Sequence, residues 1–182
     1  MPPGPLPDPG SEMGGIGSGF LTDMEAPLLV FEKPLGRLPF PDVIVGGTRV
    51  LTLSGRAKKV FETIDGKAFE FCRAVARLHD GSSGPDYWLA DVTRFLDAVD
   101  ESQSVGMRIE EKIIPYNGRT MRRVHLGFGG EDTVFKSSVV DEHHIFRLTY
   151  SSGIFLDADA AEAVRRAKLR GVTTWPSGVT NG

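Results

Sequence analysis

The stretch from His143 to Trp175 constrains the fold most, because strand, turn, helix and stop signals follow one another there without conflict. Residues 144–148 alternate apolar with polar side chains, as a strand with one buried face does. A Ser-Ser-Gly turn at 151–153 separates them from the apolar run 154–156, which predicts a second strand. The segment therefore predicts two short strands that lead into a helix.

The helix of this segment has a start signal, an apolar face and a stop signal. Asp157 is predicted to be its N-cap, because a carboxylate there can accept hydrogen bonds from the free N–H groups of the first turn. Gly171 is expected to end the helix, and residues 172–175 are expected to return as a strand. The apolar face has the helical spacing i, i+3, i+4 and i+7 and consists of Ala160, Ala163, Val164 and Ala167.

A similar unit occurs earlier in the chain. Residues 50–53 predict a strand, Ser54 a helix cap, Gly66 the helix end and residues 68–75 a returning strand. We infer two strand–helix–strand units that frame a middle sheet, although capped amphipathic helices also resemble one another by chance. The helix face repeats the same apolar spacing with Ala57, Val60, Phe61 and Ile64.

The middle of the chain contains a strong hairpin signal. Asn117-Gly118 lies between the strand-like stretches 108–115 and 121–128, and this dipeptide favours the tight turn of an antiparallel hairpin. The predicted fold class is therefore α+β: a single domain with a mixed, mostly antiparallel sheet and the two capped amphipathic helices packed on it. Phe146 and Phe155 are predicted to be buried, because each lies on the apolar side of a predicted strand.

Composition sets the expected domain boundaries. Residues 1–19 are dominated by Pro and Gly and are expected to form a disordered arm. Residues 20–175 are expected to form one α+β domain, and residues 176–182 a flexible tail. With 182 residues, of which 40% are hydrophobic and 25% charged, the chain is long enough to bury one substantial core.

Several classes of protein are disfavoured by composition. A net charge of −3 and a pI near 5.8 argue against a nucleic-acid binder, which would carry a basic face. No apolar run is long enough to span a membrane, and the N-terminus lacks the pattern of a signal peptide. The single cysteine, Cys72, cannot form an internal disulfide and is interpreted as a buried thiol in a reducing compartment. These features predict a cytoplasmic protein.

The search for catalytic or metal-binding motifs finds none. The chain has no Gly-x-Ser-x-Gly, His-Glu-x-x-His, Cys-x-x-Cys or Walker motif. The glycine-rich stretch 14–19 follows no predicted strand and lacks the Lys-Ser/Thr of a phosphate-binding loop. His143 and His144 are adjacent on a predicted strand, so they point to opposite faces and do not easily share a metal ion. We therefore predict no catalytic residue, no metal and no cofactor.

The order of these elements resembles a known family. The resemblance rests on Tyr87-Trp88-Leu89, Asp97 to Asp100, the strand at 144–148, and Ile154-Phe155-Leu156 before a capped helix that Gly171 ends. Together they resemble the immunity proteins of bacterial polymorphic toxin systems, in particular family eleven of that classification, typified by a myxobacterial domain. The resemblance covers about residues 40–175. Relatives usually have Ser at the cap position where this chain has Asp157, an equivalent cap.

The resemblance implies a non-catalytic protein that binds and neutralises a cognate toxin delivered between cells, and that is encoded by a gene next to the toxin gene. It does not imply which reaction the toxin catalyses, because a shared scaffold does not determine function. Two alternatives stay open. One is a small hydrolase or transferase with a cleft near Asp141, His143 and Arg147, and the other is an adaptor or chaperone in a secretion locus. The oligomeric state is not predicted.

Candidate toxin-binding residues follow from charge. An acidic protein that blocks a toxin is expected to present carboxylates to a basic cleft, because charge complementarity speeds capture and sharpens specificity. Local capping or pairing of Asp97 and Asp100 within the fold is an equally open interpretation of those two residues. The candidates are Asp97, Asp100 and Glu101 after the aromatic strand, and Asp141, Glu142 and His143 before the strand at 144–148.

Overall fold

The chain has an α+β fold whose contacts divide it into two compact units. One unit comprises Met1–Thr93 with Ala167–Val172, and the other comprises Arg94–Arg166 with Thr173–Gly182. The predicted arm at residues 1–19 lies outside the described residues, and the predicted domain limits at residues 20 and 175 stay a prediction. The computed structural model describes residues 26–32, 39–45, 50–105, 108–113, 120–125, 133–149, 151, 153–174, 176 and 178–181.

The described part of the first unit contains a five-stranded mixed sheet and one α-helix, which a 3-10 turn at Gly66–Ala68 follows. The strands lie in the order β1-β4-β5-β3-β2, with β1 parallel to β4 and the other neighbours antiparallel. Because β3 and β4 both pair antiparallel with β5, the predicted strand–helix–strand unit places them parallel to each other with β5 between them. The elements are β1 (Leu28–Val30), β2 (Val43–Val45), β3 (Leu51–Ser54), α1 (Gly55–Asp65), β4 (Phe69–Arg77) and β5 (Tyr87–Val92).

Helix α1 begins and packs as its sequence predicts. The Ser54 hydroxyl accepts a hydrogen bond from the Ala57 N–H at 3.2 Å, which confirms the predicted cap. Ala57 and Phe61 are buried, and the Phe61 ring lies 5.5 Å from that of Phe69 on β4. The opposite face of β4 carries a second apolar cluster around Tyr87, whose hydroxyl donates to the Pro41 carbonyl at 2.7 Å. The sheet is therefore covered on both faces near its centre.

The second unit consists of short strands and two helices. Strand β10 pairs antiparallel with β11 and parallel with β6, while β12 pairs parallel with β9. Strands β7 and β8 pair antiparallel, which confirms the predicted hairpin, although Asn117-Gly118 lies outside the described residues. The elements are β6 (Phe95–Leu96), β7 (Arg108–Ile113), β8 (Thr120–His125), β9 (Val134–Lys136), α2 (Ser137–Val140), β10 (Ile145–Leu148), β11 (Ile154–Leu156), α3 (Ala158–Arg166) and β12 (Val179–Asn181).

Three phenylalanine rings form the centre of the core of the second unit. The Phe146 and Phe155 rings stack at 5.7 Å, and Phe135 meets both of them edge-on at 6.0 and 5.6 Å. All three side chains are buried, which confirms the prediction for Phe146 and Phe155. The residues that complete this cluster are Ala98, Val99, Val140 and Leu148, with Leu96 and Val139 partly buried against it.

Two predictions about buried positions are wrong. Residues 144–148 were expected to have one exposed, polar face, but all of Ile145–Leu148 is buried and Arg147 is 0% exposed. This happens because β10 has a strand on each side and packs on both faces. Cys72, expected in the core, is only half-buried on β4.

The C-terminal part of the chain also differs from expectation. Residues 172–174 form no strand, because Ala167–Val172 instead docks on β2, where the Arg170 carbonyl accepts the N–H groups of Asp42 and Val43 at 2.9 Å each. Residues 179–181 pair with β9, although a flexible tail was predicted from residue 176. Gly178 permits this pairing, since a Cβ there would lie 2.4 Å from the Phe135 ring.

Candidate functional site

The first group of candidate carboxylates follows β6. Residues 98–100 run antiparallel to β9: the Lys136 N–H donates to the Ala98 carbonyl at 2.8 Å, and the Asp100 N–H donates to the Val134 carbonyl at 2.8 Å. This pairing places Asp97 at the end of β9 where α2 begins, and Asp100 and Glu101 at the other end. Asp97 and Glu101 are exposed.

Hydrogen bonds hold the Asp100 carboxylate in place. Its Oδ1 accepts hydrogen bonds from the Ser102 hydroxyl at 2.6 Å and the Ser102 N–H at 3.0 Å, and its Oδ2 accepts one from the Gln103 amide at 2.8 Å. The hydrogen bonds from Ser102 and then from Gln103 hold the pKa of the Asp100 carboxyl below its usual value. The side chain therefore organises a local turn and stays charged, as the local interpretation of Asp100 anticipates.

The second group of candidates follows α2. The Asp141 N–H donates to the Ser137 carbonyl at 2.9 Å, and the His143 N–H donates to the Val140 carbonyl at 2.8 Å, so both residues close the end of the helix. Asp141 and Glu142 are exposed. His143 is half-buried, and its Nδ1 is shielded from solvent without a hydrogen-bond partner in the described part of the chain.

Strand β9 connects the two groups. The Lys136 ammonium lies 3.4 Å from the Asp97 carbonyl oxygen, and α2 starts at the next residue, Ser137. A four-residue helix spans only about 6 Å, so Asp97 lies a short distance from the turn at Asp141. The structure therefore brings Asp97 and the 141–143 turn to one region of the second unit, whereas Asp100 and Glu101 lie one strand length away.

The position of Arg147 bears on the alternative enzymatic cleft. Asp141 is exposed and His143 is half-buried, but Arg147 is completely buried in the middle strand of its sheet. Its guanidinium is therefore not available to a substrate in an open cleft. The three residues do not form the open cleft that the alternative requires.

A histidine–carboxylate pair that the sequence did not predict lies beside this region. Nδ1 of His144 is 2.6 Å from Oδ2 of Asp157, while the other oxygen of Asp157 accepts the Ala160 N–H at 2.7 Å. The second contact confirms Asp157 as the cap of α3. The pair forms because β10 and β11 run antiparallel with Ile145 opposite Leu156, which makes their flanking residues neighbours.

The first unit contains a charged centre around Asp42 that the sequence also did not predict. Its carboxylate is buried and accepts hydrogen bonds from the Ser54 hydroxyl at 3.0 Å and the Arg170 N–H at 2.9 Å. The guanidinium groups of Arg56 and Arg170 approach the same carboxylate at 3.4 and 3.3 Å. Asp42 thus connects the cap of α1 to the segment Ala167–Val172, and this arrangement is structural.

These contacts determine the protonation of Asp42. Burial by itself would raise the pKa of the carboxyl, but the hydrogen bonds from Arg170 and Ser54 and the two guanidinium charges outweigh it and hold the pKa below its usual value. The folded protein therefore binds the proton more weakly than the unfolded chain. The stabilisation is fully present above the unfolded value of about 4 and is lost as pH falls through the folded value.

We expect Asp42→Asn to lower the free energy of unfolding at pH 7 by about 2–4 kcal/mol, because an amide cannot satisfy both arginines and the Arg170 N–H. Urea denaturation at pH 7 and at pH 3 measures the effect, and the difference between the variant and the wild type should shrink at pH 3. Asp80→Asn is the matched control, since Asp80 also accepts hydrogen bonds from Ser82 but is exposed. If the difference in unfolding free energy between Asp42→Asn and wild type is equally large at both pH values, the lowered pKa of the Asp42 carboxyl does not stabilise the fold.

Neither a metal centre nor a membrane span is found in the part of the chain that the structure describes. No group of three or more His, Cys, Asp or Glu side chains among those residues could hold a metal ion. No described helix is both long and apolar enough to cross a membrane.

Comparison of the sequence with known protein families gives one match. The model of the Immunity protein family (Imm11) matches residues 1–178 of the chain. The match extends beyond the resemblance noted at residues 40–175 and includes the N-terminal residues. No curated protein matches the chain.

Proposed function

The chain belongs to the Immunity protein family (Imm11), and from this premise we propose that it binds a cognate bacterial toxin and neutralises it without catalysing a reaction. The family match is the single observation that carries the proposal. The toxin belongs to a polymorphic toxin system, is delivered between cells and is encoded by an adjacent gene. The protein meets it in the cytoplasm and requires no nucleic acid, membrane or cofactor to do so.

We further propose that the toxin is bound through the carboxylates around β9 and α2, which we call the acidic surface: Asp97, Asp100, Glu101, Asp141 and Glu142, with His143 at its margin. Four of these carboxylates are exposed, and that of Asp100 is kept ionised by its hydrogen bonds. Exposed charges of one sign attract a basic cleft over a distance and raise the rate of association. The backbone pairing of residues 98–100 with β9 holds part of this surface in place before the partner arrives.

Charge reversal tests the acidic surface. We expect Asp97→Lys combined with Asp141→Lys to weaken toxin binding by about 100-fold, with each single variant contributing roughly tenfold. Most of the change should appear in the association rate, and it should shrink at high salt because exposed charges are screened. The measurement is isothermal titration and stopped-flow kinetics with the purified product of the adjacent toxin gene, carrying an inactivated active site. Asp100 is left unchanged because its reversal would also disrupt the local turn.

Asp159→Lys is the matched control. Asp159 is an exposed carboxylate of the same unit, in the first turn of α3, and its reversal changes the net charge by the same amount as each single reversal. If every folded charge-reversal variant binds the toxin with wild-type affinity, the acidic surface is not the binding site. The proposal that the chain binds a toxin is not affected by that result. If the wild-type chain binds no product of the adjacent gene, the proposed function itself is wrong, and turnover of a small substrate would then favour the hydrolase or transferase.

A further inference from the structure

Strand β1 forms an edge of the five-stranded sheet and exposes a row of aliphatic side chains. Leu28 and Val30 are 52% and 51% exposed, and Val75 on β4 is 51% exposed. Leu28 lies opposite Val75, so these side chains share one face of the sheet. Aliphatic residues clustered at a sheet edge are uncommon unless something covers them.

The backbone of β1 is also available for pairing. The Pro27 carbonyl accepts the Val75 N–H, and the Phe31 N–H donates to the Arg77 carbonyl, both at 2.9 Å. Alternate residues of a strand direct their backbone groups to opposite sides, so the N–H and C=O of Leu28 and Val30 point away from β4. Among the strands that the structure describes, none pairs with β1 on that side.

One charge beside this edge lacks a described partner. Arg77 lies opposite Val30 in the register of β1 and β4 and is exposed. Arg73, four residues earlier on the same face, pairs with Asp86 at 2.8 Å, whereas no described carboxylate forms an ion pair with Arg77. Strand β1 itself contains no charged residue, proline or bulge of the kind that protects natural edge strands.

We propose that the β1 edge receives an extended segment of the toxin, which pairs with Leu28 and Val30 as a sixth strand of the sheet. This inference rests on the proposed function and names a second surface for the same partner. The added segment covers Leu28 and Val30 with apolar side chains and offers a carboxylate to Arg77. In strand addition, backbone hydrogen bonds supply affinity and side chains on one face supply specificity.

The charge of Arg77, which has no ion pair among the described residues, argues for a partner other than a second copy of this chain. If two copies paired antiparallel through β1 centred on Leu29, the residues beside each Arg77 would be Leu and Val, and Glu32 of the second copy would lie opposite Ala26, away from Arg77. A toxin segment with one acidic residue among apolar ones can cover Leu28 and Val30 with its apolar side chains and pair its carboxylate with the Arg77 guanidinium.

The test compares two sheet edges. We expect Leu28→Lys combined with Val30→Lys to weaken binding of the inactivated toxin by about 100-fold, because two ammonium groups replace apolar contacts and would have to lose their hydration against the apolar side chains of the partner. The hydrogen bonds that hold β1 to β4 come from the neighbouring residues and are retained. Val45→Lys on β2, the opposite edge strand, is the matched control: Val45 is 69% exposed, and its replacement should change the affinity less than about threefold.

A second variant and a direct probe make the test decisive. Arg77→Glu should weaken binding at least about tenfold and keeps the fold, since its side chain is exposed and forms no described ion pair. Hydrogen exchange of the Leu28 and Val30 amides should be fast in the free full chain and slow in the complex.

The outcomes separate this inference from the proposed function. If the wild type binds the toxin and the double lysine variant binds it within threefold, the β1 edge is not the binding edge. Slow exchange of both amides in the free monomer would mean that another part of the same chain covers the β1 edge. If the wild type is a dimer and the double lysine variant is a monomer, a second copy covers the edge. Either result overturns the inference. A wild-type chain that binds no toxin overturns the proposed function together with it.

Discussion

We expect truncation of Phe146 or Phe155 to alanine to lower the free energy of unfolding by about 3–5 kcal/mol. Both rings are buried, stack on each other at 5.7 Å and contact Phe135. Because the neighbouring side chains are packed in place, they cannot move to fill the cavity that either truncation leaves. A domain of this size is stable by only about 5–15 kcal/mol. Either variant is therefore expected to populate unfolded chains at 37 °C and to lose the proposed toxin neutralisation through unfolding.

Urea denaturation followed by circular dichroism measures this loss. Phe95→Ala is the matched control. Phe95 lies on β6 in the same unit but is only half-buried, so this variant should lower the free energy of unfolding by less than half as much as either core variant. A melting temperature equal to that of wild type for both core variants would show that the three rings do not form the core of this unit.

Gly171→Ala is expected to cost at least about 3 kcal/mol. Gly171 has φ of +89°, in the left-handed region, and a Cβ at this position would lie 2.0 Å from the Val43 carbonyl oxygen. Relief of that clash must move Ala167–Val172 away from β2 and so break the hydrogen bonds that the Arg170 carbonyl accepts from Asp42 and Val43. The segment and the edge of the sheet are thus destabilised together.

Gly81→Ala separates the two causes. Gly81 has nearly the same backbone angle, φ of +84°, but a Cβ there would meet nothing within 4 Å. Its substitution therefore carries only the conformational cost, roughly 1–2 kcal/mol. The difference between the stability losses of the two variants is the cost of the steric clash between residue 171 and β2. Equal losses of both variants in urea denaturation would show that this clash costs nothing.

The residues of the proposed acidic surface could be predicted from the sequence only in part. Charge and the order of the elements identified Asp97 and Asp141 as candidates, but not their relation to each other. That relation depends on the pairing of residues 98–100 with β9 and on the short helix that follows β9. The exposed row on β1 escaped prediction for a similar reason: Leu28-Leu29-Val30 is an ordinary apolar strand until its position at the edge of the sheet is known.

The sequence by itself determined the features that depend on neighbouring residues. The Ser54 and Asp157 caps act on N–H groups three residues away, and the Asn117-Gly118 signal in the sequence predicted the antiparallel pairing of β7 with β8. Apolar spacing also placed Phe146 and Phe155 in the core. These features agree with the α+β class because each is governed by local backbone geometry and by the burial of apolar side chains.

Only the tertiary structure decided which distant residues became partners. The hydrogen bond from Arg170 to Asp42 joins residues 128 positions apart, and the pair of His144 with Asp157 exists because two antiparallel strands fix its register. The burial of Arg147 and the pairing of β12 with β9 likewise follow from how strands are ordered in their sheets. Strand order depends on the free energy of the whole packed chain, and a single sequence carries no local signal of it.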